Sequence, residues 1–157
     1  MPETRNIEQR IRHVLDDREH GSSWLLREAA LIVRDLAQSS IDGQQEQLDL
    51  LYKSAYQIAH ARPAMAALSS AMGQIISVYK DGPVAIAQAA QHLLDGYDHM
   101  NASIATFAQP FLYGQLLTCS ISGTVLEVLL TLRQQVERVI VLEGRPRFEG
   151  RVMATSL

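Results

Sequence analysis

QLLTCSISGTVLEVLLTLRQQVERVIVLEGRPRFEGR, residues 115–151, decides the fold of this chain. Its first residues predict a short strand over 116–119. Small and polar residues over 120–123 predict a turn, and 124–135 carry a helical run. VERVIVL, residues 136–142, is rich in β-branched residues and predicts a second strand. Two strands joined by a helix of that length predict a right-handed parallel β-α-β crossover. Two parallel strands cannot bury both sheet faces alone. Further strands are therefore expected from a missing segment, another chain or an associating partner. Residues 150–157 read as the start of one more helix, cut short at Leu157.

Upstream the pattern is helical. Ile7, Ile11, Val14 and Leu15 line one face of a first helix, and DREHG (17–21) breaks it. A second helix is predicted from Ser22 or Ser23 to about Ser39, with either serine able to cap it. A third runs over 44–61, with Asp42 as its cap and Gln45 three residues on. Pro63 enforces a break, and a fourth helix is predicted over 64–79. KDGP at 80–83 punctuates the chain, with Asp81 as cap, and a fifth helix runs on to about Ala108. Met65, Met72 and Met100 read as packing residues. The expected organisation is a helical domain over 1–112 and the opening β-α-β unit of an incomplete α/β domain over 113–157.

Composition narrows the function. The net charge is −3, and no basic patch stands out as a nucleic-acid footprint, so no direct nucleic-acid partner is expected. Cys119 is the one cysteine, which leaves no disulfide framework and no multi-cysteine metal site. The histidines are scattered without metal-ligand spacing, so neither metal nor cofactor is expected. The charged N-terminus has no apolar core of a secretory signal, and no run is long enough to span a membrane. A reducing, cytoplasmic setting is expected.

Open parallel sheets bind ligands at the carboxyl ends of their strands. The first such end is Thr118-Cys119-Ser120-Ile121-Ser122-Gly123, where hydroxyls and a permissive glycine precede a helix N-terminus suited to phosphate. The second is Glu143-Gly144-Arg145-Pro146, followed by Arg147, Glu149 and Arg151. Arginine presents a fork that matches phosphate geometry. Together they read as a site for a phosphorylated small molecule. The same residues serve equally as a capped helix start and a solvated loop.

These two strand ends resemble the alpha, beta and delta subunits of translation initiation factor 2B. They also resemble the related isomerases of ribose 1,5-bisphosphate and methylthioribose 1-phosphate. The family hallmark is a strand ending in Thr-His-Cys-Asn-Ala-Gly and a second ending in Glu-(Thr/Ser)-Arg-Pro, then Gly-(Ala/Arg)-Arg. Here Thr118–Gly123, Glu143-Gly144-Arg145-Pro146 and Glu149-Gly150-Arg151 occupy those places. The resemblance implies a helical N-terminal domain and the first part of a truncated Rossmann-like domain. It implies ligand contacts from Thr118, Ser122, Gly123, Arg145 and Arg151. It also implies a phosphate-binding loop at Gly21 and Ser22, residues whose simpler reading is a hydrophilic turn and helix cap.

The departures bear on catalysis. In the isomerases the loop cysteine is the proposed proton-transfer group, and here Ser120 stands at its position. A serine hydroxyl titrates far from neutral pH and transfers protons poorly unless activated. Cys119, at the family's histidine position, is the other catalytic candidate. It faces the opposite side of an extended strand from its neighbour unless the turn starts one residue early. The family's aspartate is expected beyond Leu157. Three readings follow. The first is a family member without demonstrated catalysis that senses a phosphosugar or nucleotide or serves as structure. The second is a phosphosugar isomerase with an unusual loop. The third is a helical interaction module with a β-α-β tail. Homo-oligomerisation, as a dimer, is expected because an incomplete sheet leaves apolar surface exposed.

Overall fold

The computed structural model describes residues 2–17 and 20–157, with side chains from Asn6 onward. The order is α1 (Pro2–Asp16), α2 (Ser22–Gln38), α3 (Gln44–His60), α4 (Ala66–Ile76), a 3-10 turn (Tyr79–Asp81), α5 (Pro83–Ala108), β1 (Gly114–Cys119), α6 (Gly123–Thr131), β2 (Val136–Leu142) and α7 (Glu149–Ser156). A helical N-terminal region thus precedes a small β-α-β region, as the sequence predicts. The described residues form two compact units, 2–17 with 24–96 and 20–23 with 97–157. Helix α5 contributes to both. Among the described residues no helix is long and apolar enough to cross a membrane.

The first unit is a helical bundle. Leu25, Ala29, Ile32, Val33 and Leu36 of α2 recur at helical spacing and are fully buried. Leu51 and Ile58 of α3, Leu68 and Ile75 of α4, and Ile86 and Ala90 of α5 are also fully buried. Two side chains here reach backbone carbonyls at helix ends. Gln47 Nε2 lies 3.0–3.1 Å from the carbonyls of Leu36, Ala37 and Ser39, where α2 runs out of helical partners. Arg62 donates to the carbonyl of Asp17, just past the end of α1. Arg10 ties α1 to α2 through Glu28 at 2.8 Å and Asp35 at 2.7 Å.

Some boundaries differ from expectation. Asp42 does not cap α3. Gly43 is the cap residue, at φ 99°, with no side-chain bond, because the chain turns in through a conformation that favours glycine. Helix α4 starts two residues late, since a turn closed by Met65 N–H on the Arg62 carbonyl follows Pro63. Helix α6 ends at Thr131 rather than 135, and Gln135 instead donates to the carbonyls of Gln109 and Leu112. Met72 is buried as predicted, but Met100 is exposed.

In the second unit β1 and β2 pair in parallel, with Leu117 opposite Ile140 and Cys119 opposite Leu142. Alternation divides the residues between faces. Leu116, Thr118, Val139 and Val141 are partly buried, whereas Leu117, Cys119, Ile140 and Leu142 are exposed. Val128 and Leu129 of α6 and Met153 of α7 are buried. Helix α7 packs on β2.

The α1–α2 tie yields a pH test. Burial raises the Asp35 pKa, but its bonds to Arg10 and Arg34 outweigh this and hold it below the ordinary value. Its stabilisation is therefore complete above the unfolded value and is lost as pH falls through the lower folded value. Asp35→Asn is expected to cost about 0.5–1 kcal/mol at neutral pH, after discounting for a solvent-screened site. Urea unfolding should show that difference vanish in acid, below the ordinary aspartate pKa.

Candidate anion site

The parallel register brings the two loops together. Cys119 and Leu142 are partners, and adjacent strands lie about 4.8 Å apart. The loops that follow leave the sheet from the same end, side by side. Strand β1 runs through Cys119, which is exposed. The turn begins at Ser120, whose backbone adopts φ 61°. The turn does not start one residue early, so Cys119 keeps its place in the strand and Ser120 is the first loop residue. Thr118 stays in the strand on the partly buried face.

Ser122 is the cap of α6, and its hydroxyl accepts from the Val125 N–H at 3.4 Å. Gly123 opens the helix, where first-turn N–H groups have no partner within the helix. Gly123 is needed for proximity. A Cβ there would lie 3.2 Å from Ser23 Cβ. A Cβ on Gly21 would lie 3.8 Å from the Ile121 carbonyl oxygen and 4.0 Å from the Gly123 nitrogen. The 20–23 segment therefore sits against the β1–α6 loop. Gly21, Ser120, Ser122 and Gly123 gather around one turn, with Ser22 in the adjoining segment.

The second loop is built from its backbone inward. Gly150 N–H donates to the Glu143 carbonyl at 2.9 Å, Phe148 N–H to Gly144 at 2.7 Å, and Arg151 N–H to Phe148 at 3.0 Å. Gly144 at φ 71° and Phe148 at φ 60° turn the chain, and the Arg145–Pro146 bond is cis. A Cβ on Gly150 would lie 1.9 Å from the Leu142 carbonyl oxygen, a separation no side chain tolerates.

The fixed Glu143 then organises two arginines. Its Oε2 accepts from Arg145 Nε at 3.1 Å and Nη2 at 2.9 Å. Its Oε1 accepts from Arg151 Nε at 2.7 Å and also from Nη2. Both guanidinium carbons lie against the Phe148 ring, 4.6 and 4.7 Å from its centroid. Each such contact is worth about 0.5–1 kcal/mol at an exposed site. Two cations thus share one carboxylate and one ring, and their Nη1 ends lie outside these pairs. Sequence reasoning found both arginines but not the role of Phe148. A ring stacked across a loop leaves no periodic signal. Glu143 did carry one, as the first residue of the Glu-x-Arg-Pro pattern.

The model of the initiation factor 2 subunit family matches residues 18–157. The chain belongs to that family. No curated sequence matches it at a significant level. Among solved structures, it is similar to the translation initiation factor eIF-2B of Pyrococcus horikoshii OT3, with TM-score 0.81 and 22% identity, over 97% of this chain and 55% of that one. It is also similar to the 5-methylthioribose 1-phosphate isomerase of Pyrococcus horikoshii OT3, with TM-score 0.76 and 18% identity, over 92% of this chain and 46% of that one. This family member therefore spans about half the length of those two chains. At such identities the likeness shows the fold alone.

Gly150→Ala should test the contact on which the second loop rests. Overpacking of this kind costs about 3 kcal/mol. Urea unfolding followed by circular dichroism is expected to register that loss. An unchanged midpoint would show that α7 does not approach Leu142 this closely.

Proposed function

We propose that this chain is a non-catalytic member of the initiation factor 2 subunit family that binds a phosphorylated small molecule, a phosphosugar or a nucleotide. The observation that carries the reading is the parallel register at Cys119 and Leu142. It supports the reading because the α6 N-terminus, with Thr118, Ser122 and Gly123 before or at it, and the loop carrying Arg145 and Arg151 follow the same end of the two strands. Helix N-termini and paired guanidiniums favour the same ligand chemistry, a phosphate dianion. Gly21 and Ser22 are assigned to the same site, with their backbone N–H groups as donors. A helical interaction module with an incidental tail fits less well, because it gives no reason for both loops to leave one strand end.

The absence of turnover rests on Ser120. Its hydroxyl occupies the position where the isomerases carry a thiol, and no proton-transfer group of suitable pKa replaces it there. The alternative is a phosphosugar aldose–ketose isomerase in which Cys119 moves the proton. Its support is the likeness to an isomerase fold and the exposure of that thiol. A cytoplasmic setting accompanies either reading.

Titration with ribose 1,5-bisphosphate, followed by phosphorus NMR, is expected to show binding without conversion. Arg145→Gln and Arg151→Gln should each weaken binding about tenfold, the loss of one charge-assisted contact. Appearance of a ketose phosphate would establish the isomerase reading instead, and Cys119→Ser should then abolish it.

Self-association is the second part of the proposal. Leu117 is 67% exposed and Ile140 44% on the outer face of a two-stranded sheet. Such a face is stable when covered. Sedimentation equilibrium is expected to give a dimer, and Leu117→Lys with Ile140→Lys to give a monomer. A wild-type monomer at all concentrations would exclude it.

A further inference from the structure

We propose that Phe148 is the positioning residue of the anion site, an inference that rests on the phosphate-binding reading above. Arginine side chains on an exposed loop have many rotamers, and holding two of them in one place is entropically costly. Here two restraints act on both at once. Glu143 takes up the Nε and Nη2 edge of each guanidinium, one carboxylate oxygen per arginine. The Phe148 ring lies against both guanidinium carbons at nearly equal distance, 4.6 and 4.7 Å. The carboxylate alone would leave each guanidinium free to pivot about its hydrogen bonds. The ring removes that freedom, because a guanidinium stacked on an aromatic face keeps its plane.

Phe148 itself is held in the left-handed region, where its N–H bonds Gly144 at 2.7 Å and its carbonyl accepts from Arg151 at 3.0 Å. A bulky side chain seldom occupies that conformation without surrounding structure to impose it. The residue that cradles both cations is therefore fixed at both ends of its own backbone. Phe148 touches no ligand on this reading; it acts through Arg145 and Arg151.

The test uses the full chain, inorganic phosphate as probe, and the arginine Nε–H resonances. In the wild type, the Nε–H signals of Arg145 and Arg151 are expected upfield of ordinary arginines, from the ring current of Phe148. Phe148→Leu keeps an apolar side chain and should remove that shift and weaken phosphate binding about fivefold, the loss of exposed cation–π contacts. Phe148→Trp should restore both. Phe148→Leu binding phosphate as the wild type does, while Arg145→Gln does not, would overturn the positioning role and leave the anion site standing. So would wild-type Nε–H signals without an upfield shift. Wild type and Arg145→Gln alike in failing to bind any phosphate ligand would remove the anion reading, and this inference with it.

Discussion

Gly150 lies so close under the Leu142 carbonyl that a methyl group in place of its hydrogen would fall 1.9 Å from the oxygen. The geometry of the second loop descends from that approach. It lets Gly150 N–H reach the Glu143 carbonyl, which fixes the residue whose carboxylate then collects two arginines. The constraint is steric and lies on the backbone, so it specifies the loop without a deep core around it. Interiors are close-packed enough that even one methylene is felt, and here the space available is less than one.

The two units reach order by different routes. The first buries a continuous set of Leu, Ile, Val and Ala from five helices and closes the end of α2 with the buried Gln47 amide. The second has few buried apolar side chains among its described residues: Ala105, Val128, Leu129 and Met153. Its order comes instead from close backbone approach, at Gly123 against Ser23 and Gly150 against Leu142. Its sheet keeps one partly buried face and one face carrying Leu117, Ile140 and Leu142 toward solvent. Parallel sheets are ordinarily covered on both sides, and that exposed face is the physical basis for proposing a second copy.

What could be read from the sequence followed periodicity. VERVIVL gave a strand because β-branched residues at that density fit a pleated surface, and the 3.6-residue apolar spacing of α2, α3 and α5 placed three long helices closely. What could not be read depended on contacts remote in sequence or on single backbone angles. Asp42 looked like a cap, but Gly43 at φ 99° takes the position. The start of β1 at Gly114 carried no strand signal, since glycine and glutamine disfavour one. Arg145 and Arg151 could be picked out from Arg147 only because Glu143-Gly144-Arg145-Pro146 and Glu149-Gly150-Arg151 resemble the family pattern. Their common ring could not, because nothing in the spacing of 145, 148 and 151 requires three side chains to meet.

The difference between Cys119 and Ser120 shows how one backbone angle bears on chemistry. Along an extended strand successive side chains point to opposite faces, and Cys119 is the last residue to obey that rule, level with Leu142. At Ser120 the chain passes to φ 61°, and the alternation stops. The first residue of the β1–α6 loop thus carries a hydroxyl, while the thiol stays on the sheet face. A hydroxyl can donate to and accept from a bound phosphate without ionising, whereas taking a proton from carbon is served by a base whose pKa lies near the operating pH. On the proposed reading, the loop keeps the groups suited to holding an anion and places its one thiol where the strand, rather than the ligand, sets its direction.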